Sequence, residues 1–373
     1  MAADNRLVIE KDVYLWAIRE SLIDYDVVRD RFKHLDAWIS QSQYPTFRDG
    51  QKLAQYLRVP FGFLFLDKAP EDSALSPEFR TIKNILPKMS KNLQDTLYLM
   101  KQKQEWLSDY RKENDWQTII PKDLVVEDKE QIPLAKKLIG LDEYWYKKCG
   151  DLDTAFKTLR QAMEDIGIVV MQNSVVGTNN SRPLDIHEFR GFLIYDDFAP
   201  LIFINSRDSK AGKIFTLVHE YIHLLSQSEE DDLLADPADS ERAINQLTSE
   251  FLMPARHVLK SWDQKEASIE QINKISKTFC VSPIAMAIRL NRLGKIDQEM
   301  VDDIKWQTKE NLKQRRAAGG GDYYQMQKSR LSSRFTESVI EGREAGDITY
   351  TQAFDLLEGS MKLYQFFKNE YLQ

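Results

Sequence analysis

Apolar residues recur three and four positions apart through the first seventy residues, in short runs. Val13, Trp16, Ala17 and Leu22 share one helical face, and Val27, Val28 and Phe32, then Leu35 and Trp38, mark further brief helices. A longer helix follows Pro45-Thr46, carries Leu53, Ala54 and Leu57, and stops before Pro60. The run Phe61-Gly62-Phe63-Leu64-Phe65-Leu66 is a dense apolar close, and Asp67 to Pro77 reads as a linker punctuated by prolines and acids. Residues 78 to about 150 read as charged helices. Leu93, Leu97, Met100, Gln104 and Leu107 define one long amphipathic helix, and Trp106, Trp116, Trp145 and Tyr146 supply anchors.

The period changes after residue 150. A helix from Leu152 to Ile166 ends at Gly167, and the β-branched run Ile168-Val169-Val170-Met171 predicts a short buried strand. Gly191–Tyr195 and Leu201–Asn205 predict two more, joined as a hairpin by the polar turn at Asp196-Asp197. An apolar helix from about Gly212 to Ser226 follows. Strands first and helices after is an α+β pattern. Residues 297–373 are helical and polar, interrupted by Gly319-Gly320-Gly321. The expected division is an all-α segment at 1–70, a helical connection at 71–150, an α+β core with a small sheet at 151–296 and a helical extension at 297–373.

Composition narrows the function classes. At 373 residues and 42% hydrophobic content the chain has material for two or three domains and is not a disordered one. It has no apolar run long enough for a membrane helix, and its first residues carry charges where a signal peptide is apolar. Cys149 and Cys280 make neither a disulfide framework nor a CxxC site. These features favour a soluble cytoplasmic protein with no membrane partner. The net charge of −7 confines any nucleic-acid contact to a local patch. Between Lys305 and Arg334 eight bases face two acids, which is either a solvated helical face or a contact for nucleic acid or an acidic partner, with Tyr323 and Tyr324 able to stack.

The chemistry concentrates in His219-Glu220-Tyr221-Ile222-His223. Histidines four apart on a helix share a face and can reach one metal, and Glu220, about 100° round, can touch a water held there. The flanking Ile214, Phe215, Leu217, Val218, Leu224 and Leu225 bury this helix, so its polar groups need partners that a metal provides. The run Glu229 to Asp232 reads as a solvated loop. Asp239-Ser240 offers an N-cap for a helix from Glu241 to about Met253. Glu241 lies on the inward stripe of Ile244, Leu247, Thr248 and Phe251, whereas Glu250 points about 180° away and reads as a surface residue. The expected site is therefore His219, His223, Glu241 and a water on Zn2+, with Asn245 hydrogen-bonding a ligand from behind. Such a site hydrolyses amides, with Glu220 taking the water's proton and passing it to the leaving amine. Ile202, Phe203, Ile204 and Asn205 are expected to form an exposed edge strand that pairs with an extended peptide. Tyr221, Arg190 and His257 are alternative oxyanion stabilisers.

The segments EFRGF, PLIFIN, FTLVHE and FLMP, in this order and at suitable distances, closely resemble the ImmA/IrrE family of zinc metallopeptidases. The resemblance implies a zincin-like core, zinc on His219, His223 and Glu241, and Glu220 as acid/base. It also makes residues 268–296, whose spacing is helix-turn-helix-like, part of the peptidase packing. Residues 1–70 resemble the XRE (Cro-like) helix-turn-helix fused to such peptidases, in Trp38, Pro45-Thr46, Leu53-Ala54 and VPFGFLFL. They depart from it at Ile39 and Gln41, and their ten bases balance ten acids. The implied function is a regulatory endopeptidase cutting a specific protein such as a repressor, antitoxin or toxin-like partner. The alternative is a DNA-binding regulator or antitoxin-like module whose peptidase fold only recognises its partner. DNA would be met through residues 1–70 or 305–334, and a dimer is a further expectation.

Overall fold

The computed structural model describes residues 6–21, 23–57, 59, 61–69, 89–121, 124–226, 237–266, 268–313 and 322–371. Leu22, Pro60, the linker from residue 70, the acidic run at 229–232 and the glycines at 319–321 lie outside them. The chain forms two compact units, residues 1–95 and 96–373.

The first unit holds short helices α1 (Lys11–Ser21), α2 (Tyr25–Arg31), α3 (Leu35–Ile39) and α4 (Phe47–Leu57), then a 3-10 turn at Phe61–Phe65. Asp24 caps α2 by accepting from the Asp26 N–H, and Thr46 and Asp49 bond reciprocally at the start of α4. Val13, Ala17, Val28, Leu35, Leu53, Leu57 and Leu64 fill its core.

Helix α5 (Lys91–Glu113) buries Leu93, Leu97, Met100 and Leu107 along one stripe, as the periodicity predicts. Then come α6 (Ile132–Leu138), α7 (Leu152–Asp165), strands β1 (Val169–Asn173), β2 (Val175–Val176), β3 (Asn179–Pro183), β4 (Gly191–Ile194) and β5 (Leu201–Asn205), and α8 (Lys210–Leu225). Helices α9 (Pro237–Leu252), α10 (Ala255–Ser261), α11 (Ile269–Thr278), α12 (Pro283–Arg292), α13 (Gln298–Lys313), α14 (Tyr323–Arg330), α15 (Ser333–Ala345), α16 (Tyr350–Leu356) and α17 (Met361–Tyr371) complete a mixed, mostly helical α+β fold. None of the described helices is long and apolar enough to cross a membrane.

The main sheet has the order β1-β5-β4, with β1 parallel and β4 antiparallel to β5. Val170, Ile202, Ile204 and Leu193 face α7 and α8, where Phe156, Leu159, Ile214, Leu217 and Val218 meet them. Residues of α11 and α12, among them Ile272, Met286 and Leu290, belong to this same core, as does Phe279 just after α11. On the opposite face Phe192 stacks on Phe203 at 4.9 Å. The outer edge of β1 is occupied: Arg160 donates to the carbonyls of Val170 (3.0 Å), Ser329 (2.8 Å) and Leu331, Gln172 donates to Ser329 O at 2.9 Å, and the Ser332 N–H meets Met171 Sδ. No strand among the described residues pairs with the far edge of β4.

Two expectations are corrected here. The strand carrying Ile202, Phe203, Ile204 and Asn205 is central, paired on both sides and buried at all five positions, so it cannot receive a peptide. Its unbroken apolar run is the mark of a strand covered on both faces. The helix bearing Glu241 starts at Pro237, which is favoured in a first turn, so Asp239 and Ser240 lie inside it rather than capping it. The β2–β3 ribbon escaped the sequence because Asn179–Pro183 has no apolar alternation.

Candidate metal centre

Ser209 starts α8 by accepting the Gly212 N–H, and the apolar helix then runs unbroken through its two histidines. Helix α9 packs beside it and brings Glu241 across. His219 Nε2 and His223 Nε2 lie 3.1 Å apart, and the Glu241 oxygens lie 3.2 Å from His223 Nε2 and 3.4 Å from His219 Nε2. Ligand atoms of the three side chains all fall within 4.8 Å of one another. Donors about 2.0–2.1 Å from a tetrahedral zinc are spaced by about 3.3 Å, so the observed separations fit that ion. Phe215 stacks on the His219 ring from one turn before, while His219 Nδ1 is buried without a hydrogen-bond partner among the described residues.

Hydrogen bonds from His219 and His223 hold the Glu241 carboxyl well below the usual carboxylate range. Glu220 moves the other way: desolvation raises its pKa against the opposing pull of the two histidines. Its surroundings explain this. A Cβ on Gly191 would lie 3.5 Å from Glu220 Oε1, 2.5 Å from Thr216 Cγ2 and 2.8 Å from Phe203 O, so β4 passes Glu220 with no room for a side chain. Gly191 is the site residue that sequence reasoning missed. A glycine inside a strand pattern was the available signal, since it marks close backbone approach.

The remaining expected site residues are placed differently. Asn245 donates to the main-chain carbonyl of Glu241 at 2.7 Å rather than to its carboxylate, the i−4 back-bond open to any such residue inside a helix. Glu250 is not a surface residue: its side chain is 19% exposed, accepts the Ala255 N–H at 3.1 Å and pairs with Arg289. Both faces of α9 are covered, which a single inward stripe does not anticipate. Of the three oxyanion alternatives, two are engaged in the core and Arg190 is tied to an acid but stays exposed. Tyr221 donates to Ala135 O at 2.8 Å in the core, His257 Nδ1 meets Tyr146 Oη at 3.0 Å, and Arg190 donates to Asp208 at 2.9 Å. In the basic stretch Lys305 pairs with Asp302, Lys328 with Glu370 and Arg334 with Glu337, while the side chains of Lys309, Lys313, Arg315 and Arg316 lie outside the described residues.

A pair of histidines and a carboxylate on adjacent helices, flanked by a desolvated glutamate, is the donor set of a metal-dependent hydrolase. Residues 163–291 match the Peptidase_M78 family model, the IrrE N-terminal-like domain. That match spans both histidines and Glu241 and supports kinship with the ImmA/IrrE-type family and a metallopeptidase activity. No curated relative and no solved structure matches the chain.

Proposed function

We propose that the chain is a zinc-dependent regulatory endopeptidase that hydrolyses a peptide bond in a specific protein, such as a repressor or a toxin-system component. The observation that carries this reading is the convergence of His219, His223 and Glu241 at 3.1–3.4 Å beside Glu220. These three residues would hold the zinc in a zincin-like arrangement of the gluzincin type. Bound there, the ion would polarise the scissile carbonyl and make the attacking water more acidic.

The protein's own groups supply the rest. Glu220 accepts the proton of the attacking water and delivers it to the leaving nitrogen, and a carboxyl pKa raised by desolvation favours its hold on that proton between the two transfers. The edge of β4 that no described strand pairs with offers main-chain N–H and C=O groups to an extended substrate, and the bare Cα of Gly191 brings that edge against Glu220. Partner recognition falls to the helical N-terminal unit, read as an XRE-like scaffold. The balance of ten acids and ten bases in residues 1–70 fits a protein contact better than a phosphate backbone.

Elemental analysis of the purified wild type beside His223→Ala and Glu220→Gln tests this. About one zinc per chain is expected in the wild type and in Glu220→Gln, and none in His223→Ala. Hydrolysis is expected in the wild type alone. A well-folded wild type that takes up no zinc when it is supplied would overturn the reading.

A further inference from the structure

The N-terminal end of strand β4 carries an arm assembled from four residues. Arg190, directly before Gly191, donates from Nη1 to Asp208 Oδ2 at 2.9 Å. The Asp208 side chain is only 6% exposed and also accepts the Ser209 N–H at 2.7 Å. It lies so close against the first turn of α8 that a Cβ on Gly212 would come within 2.5 Å of Asp208 Cγ. A glycine-cradled, buried carboxylate thus fixes a side chain that is itself 60% exposed. A guanidinium has five N–H donors, and this one makes no other side-chain hydrogen bond among the described residues.

The position of the arm matters as much as its build. An extended peptide beside β4 rises about 3.3 Å per residue. Arg190 directly precedes Gly191, whose backbone lies against Glu220, so a substrate side chain reaching the guanidinium belongs to a residue within about four positions of the bond there.

We propose that Arg190 is a specificity-determining residue that selects an acidic side chain within about four residues of the scissile bond. Its planar fork matches a carboxylate with two parallel hydrogen bonds, and Asp208 holds it ready at the edge of the substrate strand. This inference rests on the peptidase reading above.

The experiment incubates a proteome-derived peptide library with zinc-loaded wild type, Glu220→Gln, Arg190→Ala, Arg190→Lys and Arg190→Glu, and maps cut positions by mass spectrometry. In the wild type, Asp and Glu are expected to be enriched about fivefold at one position within about four residues to one side of the cut. The preference should vanish in Arg190→Ala, weaken in Arg190→Lys and turn to Lys and Arg in Arg190→Glu. A flat wild-type profile, or an acidic preference that survives in Arg190→Ala, overturns the proposal and leaves the peptidase reading standing. Cuts fixed at that distance from free C-termini, whatever the side chain, overturn it as well. Equal cutting by wild type and Glu220→Gln, or none by either, defeats the peptidase reading and this inference with it.

Discussion

Adding one methyl group at Gly191 perturbs the site without touching any residue that would bind metal. The new carbon would stand 2.5 Å from Thr216 Cγ2 and 2.8 Å from Phe203 O, where a comfortable contact needs about 3.5 Å or more. One of those neighbours is main chain of the central strand β5 and the other a side chain of α8, so β4 must shift away from both by several tenths of an ångström to about 1 Å. Overpacking of this kind costs about 1–3 kcal/mol. For a unit of this size that is a drop in Tm of about 2–4 °C per kcal/mol. The same displacement withdraws the strand edge from Glu220, and a misplacement of about 1 Å in a catalytic arrangement costs about 100-fold in rate. His219, His223 and Glu241 sit on α8 and α9, so zinc content is expected to stay at the wild-type level. Thr216→Ser removes Cγ2 and should restore part of the stability of Gly191→Ala, leaving the Phe203 contact in place. The assays are thermal unfolding, elemental analysis and peptide cleavage on the three proteins. A Gly191→Ala variant with wild-type Tm and wild-type cleavage would refute the close-approach argument.

Two predictions concern groups behind the site. Lys136 is 4% exposed, and burial pushes its ammonium down to about 8, against partial compensation from Glu250, Glu143 and Asp142. The unfolded chain then holds a proton that the folded one has lost between about pH 8 and 10.5, so this group makes stability rise with pH across that window and disfavours the fold below it. Lys136→Met is expected to be more stable than wild type at pH 7, by about 1–3 kcal/mol in denaturant titration, with the advantage shrinking above pH 8. Glu250→Ala strands the buried Arg289 guanidinium and should lower stability by about 3 kcal/mol while leaving zinc content unchanged; loss of zinc would move Glu250 into the metal centre.

The parts of the site legible in the sequence were those with a local rule. Histidines four apart converge on any straight helix, and the stripe containing Ile244 and Leu247 turned Glu241 toward the same core. The alternating and β-branched runs placed three strands and their hairpin within a residue or two. What failed depended on neighbours distant in the chain. The sequence does not say that Ser329, Leu331 and Ser332 return to the edge of β1, and only that return, with β4 on the other side, makes β5 central. Glu250 looked solvated because one helical face was assigned to water, whereas α9 is covered on both, by α8 before it and by Arg289 of α12 after it. Gly191 was visible as a letter, and its meaning emerged only from the helix laid against it.

The bonds that Arg160 makes to Val170, Ser329 and Leu331 set a lower limit on how much of this protein can be isolated. A chain trimmed to the segment that matches the peptidase family, residues 163–291, would lose both Arg160 and its C-terminal partners. Met171 and Gln172 would be stripped of their cover, and β1 would present a bare row of strand N–H and C=O groups. Such an edge is a template for pairing with other copies, so the trimmed protein should aggregate rather than act as a minimal enzyme. The helices after residue 322 are in this sense the closing wall of the catalytic unit, and a family boundary drawn on sequence likeness cuts through the middle of what must fold together.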